Sequence, residues 1–309
     1  MAETNNTTPP ASKTNCPASN ANHPAEYWKK LDDKTALCEL CPRYCQIKEG
    51  STGACGVRAN MKNGLVAAGY SVVSALALDP IEKKPLYLFH PGCQILSIGG
   101  FGCNFHCPFC QNSEISLEFK NTNSRRSRKL MSVDDIVSHA QNAIPAGNIG
   151  VAYTYNEPLI AYEFLLDCAK AVRNAGLKNV LVTNGCINPK PLETLLPNID
   201  AMNIDLKAYS KDFYKKIGGN LETVKNTIIQ AHRNCHIEIT TLVIPDENEN
   251  DIEPISKWLS EIDPHIPLHL SRFFPRYEYS DKLPTPIQTL TNLQKTAQKY
   301  LQNVFIGNV

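Results

Sequence analysis

The sequence has 309 residues, is 42% hydrophobic and carries a net charge of +1, so it can bury a large core but gives no electrostatic reason to expect nucleic acid or an anionic membrane as partner. No apolar run approaches the roughly 20 residues needed to span a bilayer. The 12 cysteines occur without a secretion signal, which points to a reducing, oxygen-poor, cytoplasmic setting.

The first 25 residues, Met1 to Ala25, are rich in Asn, Thr, Pro, Ser and Ala and read as a disordered tail in which Cys16 is incidental. Residues 26–91 form a cysteine-rich segment with many turn formers and little periodic hydrophobicity. From 92 to 309 short apolar runs alternate with amphipathic stretches. Strands are expected at Ile95–Gly99, Ile149–Tyr155, Asn179–Thr183, Ala201–Asp205, Ile237–Ile244 and Leu268–Phe273. Helices are expected between and after them, at Val133–Ala143, Pro158–Ala175, Pro191–Leu196, Leu221–Asn234, Ile252–Ile262 and Pro286–Gln302. Ser132 followed by Asp134 and Asp135 is a recognisable helix start. A short strand at Val304–Ile306 ends the pattern. Such alternation predicts an α/β fold with parallel strands joined by right-handed crossovers, here a partial (β/α)6 TIM-like barrel. Chemistry in such barrels sits at the carboxyl ends of the strands.

The loop after the first expected barrel strand reads Cys103-Asn-Phe-His-Cys107-Pro-Phe-Cys110. Ferredoxin-type carriers supply four cysteines per [4Fe-4S] cluster, so three from one loop leave one iron without a protein ligand. A zinc site or reduced thiols are the alternatives, although zinc commonly takes four protein ligands, or three plus water. Upstream, Cys38, Cys41, Cys45 and Cys55 offer four thiolates, the number for a closed site that is structural or electron-relaying. Zinc is preferred there, with a second cluster and unmetallated thiols as alternatives. Asn156-Glu157-Pro158 is an ordinary helix start with Asn156 as cap. Thr240 to Pro245 could provide an apolar wall. His269 reads as a satisfied core or surface residue, Arg272 as the better candidate for an anionic substrate group, and Arg125 to Lys129 as a solvated loop.

The C-x3-C-x2-C spacing, with Phe109 before the last cysteine, resembles the cluster motif of the radical S-adenosylmethionine (SAM) superfamily. The resemblance implies that SAM binds the open iron and is reductively cleaved to a 5′-deoxyadenosyl radical, which takes hydrogen from a substrate the sequence does not specify. Tyr153-Thr-Tyr-Asn-Glu157-Pro158 matches in position the superfamily's Gly-Gly-Glu-Pro-like segment, implying Glu157 at the SAM ammonium with Thr154 and Asn156 nearby. Thr183-Asn184-Gly185 and Asp205-Leu-Lys207 resemble segments of the glycyl-radical-enzyme activases of the pyruvate formate-lyase activating type. That implies Lys207 at the SAM carboxylate, with Asp205, Thr183 and Asn184 beside it. Activases carry an acidic residue where this chain has Val182, and the long forms carry cysteines where Asn112 to Asn148 has none.

Several blocks together resemble the AmmeMemoRadiSam-system radical SAM enzymes: Cys41-Pro-Arg-Tyr-Cys45, Gly53-Ala-Cys-Gly-Val-Arg58, Asp79-Pro-Ile-Glu-Lys-Lys-Pro85 and Ser271-Arg-Phe-Phe-Pro275. Members of that group continue past the Gly-Asn-Val that ends this sequence into a Cys-Pro-x-Cys tail, and Cys93 stands where a small hydroxyl residue is expected. The resemblance implies partner proteins of that system and a flavodoxin- or ferredoxin-like reductant. Two rival readings are a glycyl-radical-enzyme activase acting on a partner protein and a non-catalytic, zinc-stabilised adaptor.

Overall fold

The computed structural model describes residues 23–117 and 128–309; the expected tail up to residue 22 and the basic run as far as Ser127 lie outside them. The cysteine-rich segment is built from short strands, not irregular turns. β1 (Trp28–Lys30), β2 (Thr35–Cys38) and β3 (Gln46–Lys48) form an antiparallel sheet, and β4 (Arg58–Met61) pairs with β5 (Gly64–Ala67) as a hairpin. These strands are three or four residues long, too short for an alternation to stand out in the sequence. β6 (Val72–Val73) pairs with β9 (Lys129–Leu130), and between them lie β7 (Ala75–Pro80) and β8 (Gln94–Gly99).

The remaining strands are β10 (Asn148–Tyr153), β11 (Lys178–Thr183), β12 (Ala201–Asp205), β13 (His236–Val243), β14 (Leu268–Arg272) and β15 (Val304–Gly307). One sheet of eight strands has the order β15-β14-β13-β12-β11-β10-β8-β7. Every neighbouring pair in it is parallel except β7, which joins β8 antiparallel at the edge. β7 comes from the cysteine-rich side of residue 92 and so ties that segment into the central sheet. The apolar runs behave as expected of strands covered on both faces: the last four residues of β10 and the first four of β12 are all buried.

The helices are α1 (Ser113–Ser116), α2 (Val133–Asn142), α3 (Tyr162–Asn174), α4 (Pro189–Leu195), α5 (Lys211–Lys216), α6 (Leu221–His232), α7 (Ile252–Ile262) and α8 (Ile287–Ala297). α7 shows why they dock: Ile252, Ile255 and Leu259 share one face and are fully buried, each worth roughly 1.5–3 kcal/mol of apolar burial. Ser132 and Asp135 form the capping box at the start of α2, with Asp135 N donating to Ser132 Oγ at 3.1 Å and Ser132 N to Asp135 Oδ2 at 2.8 Å. The start of α3 departs from expectation. A 3₁₀ turn over Pro158–Ala161 precedes it, and the cap is Glu157, which accepts from Leu159 N at 3.0 Å. Asn156 is drawn away to the loop after β8.

At the amino end of the barrel strands, buried Glu238 of β13 accepts from Tyr87 N at 3.0 Å, Leu88 N at 2.8 Å, His236 at 3.0 Å and His269 at 2.6 Å. His269 is therefore a satisfied core residue, as expected. Among the described residues no helix is long and apolar enough to cross a membrane.

Candidate active site

A cavity of about 340 Å³ opens at the carboxyl ends of six strands, β8 and β10 to β14. At one end stand Cys103, Cys107 and Cys110, on the loop after β8. The loop is fixed from two directions. Gly100 N donates to Asn156 Oδ1 at 2.8 Å, and Asn156 Nδ2 donates to the Gly102 carbonyl at 3.0 Å. Gly102 itself has φ +86, and a Cβ there would lie 2.3 Å from the Cys55 carbonyl oxygen, so no other residue fits. Phe105 N donates to Cys103 Sγ at 3.3 Å, and Asn184 Nδ2 lies 3.8 Å from the same sulfur. Burial pushes all three thiols up, Cys107 to about 12. Three thiols so raised, Cys107 buried and Cys103 and Cys110 half-buried, are stable as thiolates only beside a strong cation.

Glu157 lines the same cavity and is held by three donors of the chain. Oε1 accepts from Leu159 N and from Thr183 Oγ1 at 2.6 Å, while Oε2 accepts from Asn184 N at 2.7 Å. Burial raises its carboxyl to about 7, against the opposing pull of those three donors. A carboxylate offers about four lone-pair sites, so one remains for a ligand. Thr183 and Asn184 also line the cavity, but their polar groups face inward: Thr183 Oγ1 accepts from Gly185 N at 3.0 Å, and Asn184 holds Asn104 Oδ1 at 2.8 Å. Lys207 Nζ pairs with Asp205 Oδ2 at 2.9 Å. Burial disfavours the Lys207 charge, but Asp205 and Cys107 outweigh it and raise its pKa. Thr154 completes the expected set.

The structure brings to the cavity residues that the sequence analysis quoted only within blocks and gave no site role. Lys84, 3% exposed, reaches the cavity from the segment before β8 and donates to Asp79 Oδ2 at 2.9 Å. Tyr155, at φ +71, donates to the same Asp79 oxygen at 2.7 Å and lies under the Lys84 ammonium. Burial tends to raise the Asp79 pKa, but Lys84, Tyr155 and Lys83 together hold it well below the usual carboxylate range. Arg272 does not line the cavity. Its Nε donates to the Thr285 carbonyl at 2.8 Å and its guanidinium lies over Phe274, while the neighbouring Ser271 takes the lining position. Strand alternation explains the swap, since adjacent residues face opposite sides.

Cys38, Cys41, Cys45 and Cys55 are brought together around a second pocket, with Arg43, Arg58 and Asn104 in its wall. Burial pushes Cys41 to about 12 and raises Cys38 and Cys55, the latter two against the opposing charge of Arg58. Among the described residues neither this set nor the Cys103 loop is arranged as a formed metal site; what each offers is its donors, three thiols on one cavity and four around one pocket.

The sequence profile of the radical SAM superfamily matches residues 97–259, just over half of the 309. An uncharacterized protein of Methanocaldococcus jannaschii is 42% identical over 291 residues, covering 92% of this chain and 85% of that protein. The pyruvate formate-lyase 1-activating enzyme of Escherichia coli is 24% identical over 157 residues, covering 48% of this chain and 61% of that enzyme. In fold, the crystal structure of Streptococcus suis SuiB bound to S-adenosylmethionine superposes with a TM-score of 0.51 at 14% identity, over 67% of this chain and 48% of that one. The chain belongs to the radical SAM superfamily, whose enzymes use a [4Fe-4S] cluster and SAM. The donor set fits those cofactors: three thiols on one loop, with an acid and an Asp–Lys pair further along the same cavity.

Proposed function

We propose, from that membership, that Cys103, Cys107 and Cys110 hold three irons of a [4Fe-4S] cluster and that the fourth faces SAM in the 340 Å³ cavity. When bound, the reduced cluster would supply the one electron that cleaves SAM to methionine and a 5′-deoxyadenosyl radical, and that radical would abstract hydrogen from a substrate lodged in the same space. Glu157 receives the SAM ammonium, and Lys207, kept charged by Asp205, receives its carboxylate. Thr183, Asn184 and Asn156 act one layer back, holding Glu157, the Cys103 sulfur and the loop after β8. Thr154 contributes a hydroxyl to the same wall. The observation that carries this reading is the convergence of three thiols, the Glu157 carboxyl and the Lys207–Asp205 pair on one cavity, at the ends of β8, β10 and β12. Superfamily membership argues against the non-catalytic adaptor.

Within the superfamily, the blocks shared with the AmmeMemoRadiSam-system enzymes favour a member of that group, working in the cytoplasm with partner proteins and a flavodoxin- or ferredoxin-like reductant. The four N-terminal thiols belong, in the same reading, to a second metal centre, zinc or cluster. Similarity to the Escherichia coli activating enzyme supports a second reading, activation of a glycyl-radical enzyme. Anaerobic reconstitution with iron and sulfide, followed by SAM and reductant, should yield 5′-deoxyadenosine, and Cys107→Ala should abolish it. Undiminished product from that variant would refute the assignment of the loop. A glycyl radical appearing in a co-expressed partner would decide for the activase.

A further inference from the structure

The second cysteine set and the cluster loop share a wall. We infer that Cys38, Cys41, Cys45 and Cys55 hold a protein-saturated metal–thiolate centre, with Arg58 donating to its sulfur, and that this centre positions the radical SAM cluster through Arg43 and Asn104. The first clause deepens the second metal centre proposed above, and the second clause rests in addition on the function proposed for Cys103 to Cys110.

Arg58 marks the site as built for a ligand. It is 1% exposed, its Nη1 donates to Glu163 at 2.9 and 3.1 Å and its Nη2 donates to the Glu26 carbonyl, yet its buried Nε has no partner. An unsatisfied buried donor costs roughly 1–3 kcal/mol. Arg58 lines the pocket with the four thiols and with Arg43. Four thiolates around a divalent zinc or an oxidised [4Fe-4S] core leave a doubly negative centre, which a sulfur-directed N–H and two guanidinium groups complement. Zinc and the cluster are two sources of this one chemistry.

The coupling is equally direct. Arg43, between Cys41 and Cys45, donates to the Asn104 carbonyl at 2.7 Å and to the Gly218 carbonyl at 3.0 Å. Asn104 follows Cys103, lines the four-thiol pocket and donates to the Cys186 carbonyl at 2.8 Å. Its Oδ1 accepts from Asn184 Nδ2, the amide that lies beside the Cys103 sulfur. On the other side, the Cys55 carbonyl packs against Gly102. A metal that fixes Cys41, Cys45 and Cys55 thereby fixes both residues flanking Cys103.

The test uses the full chain, reconstituted anaerobically with iron, sulfide and zinc, and metal analysis without SAM. Wild-type protein should retain, beyond the irons of the first cluster, either one zinc or about four further irons per chain. Mössbauer and zinc analysis tell these apart. The double variant Cys41→Ser/Cys55→Ser should lose that surplus and keep a first-cluster electron paramagnetic resonance (EPR) signal that shifts on adding SAM. No surplus in the wild type, or surplus retained in the double variant, overturns the site. Arg43→Met leaves all the thiols in place and should keep the surplus while shifting the reduction potential of the first cluster; an unchanged potential overturns the coupling. Wild-type protein that carries the surplus metal but makes no 5′-deoxyadenosine would count against the SAM chemistry alone.

Discussion

The loop from Cys103 to Cys110 and the set from Cys38 to Cys55 bury their thiols alike, yet they differ in what lies beyond the sulfurs. The loop faces a 340 Å³ cavity ringed by strand ends, while the upstream set faces Arg43, Arg58 and the back of that loop. Three donors in front of open space suit a centre that must bind something. Four donors sealed by arginines suit one that must not. The contrast teaches that the number of thiols and the space behind them carry the functional information, since burial raises the thiol pKa values in both places.

Gly102 is one of the places where the two regions touch, and its substitution should have the broadest effect. Gly102→Ala places a Cβ 2.3 Å from the Cys55 carbonyl at φ +86, so metal retention should fall in both sets together, as read by iron and zinc analysis. Loss at one set alone would show that the wall is not shared. Arg58→Met touches only the closed set. It strands Glu163 as a buried unpaired charge and should cost about 3–5 kcal/mol in urea unfolding, with cleavage of SAM surviving in whatever protein stays folded.

Glu157→Gln probes only the open set and should weaken SAM binding by about 1.5–3 kcal/mol, measured by equilibrium dialysis. The pH dependence sharpens this. Without ligand, the Glu157 carboxyl titrates near 7 in the fold against 4.5 ordinarily, so the folded state holds the proton more tightly. Its contribution to stability is complete below pH 4.5 and declines as the pH rises through 7. An adjacent ammonium favours the ionised form, so SAM affinity should rise through about pH 7 in the wild type and stay flat in Glu157→Gln. Ser132→Ala removes the cap of α2, remote from both sets, and should cost about 1 kcal/mol with unchanged metal content; altered metal content would mean that the sites are not local.

Much of the site was legible in the sequence because its residues fall at the ends of long apolar runs. The cluster loop, Glu157, Thr183, Asn184, Asp205 and Lys207 all line one cavity because parallel strands bring their carboxyl ends together. What escaped was fixed by distant partners. Lys84 and Tyr155 meet through Asp79, the latter two 76 residues apart, and Asn104 meets Arg43 across 61. The exchange of Asn156 for Glu157 as the helix cap has the same origin, because the loop after β8 claims the Asn156 side chain. The strands of the cysteine-rich segment were missed because three or four residues hold too little pattern.

Glu238 gives the far end of the barrel a different acid tolerance. Burial tends to raise its carboxyl, but His236, His269 and the amides of Leu88 and Tyr87 bring it down to about 2. The stability it confers is complete above pH 4.5 and fades only as acidity approaches pH 2. Two buried glutamates in one barrel thus answer protons at opposite ends of the scale. Mild acidification reaches the mouth first, while the crossing segment at Tyr87 and Leu88 stays clamped beneath it.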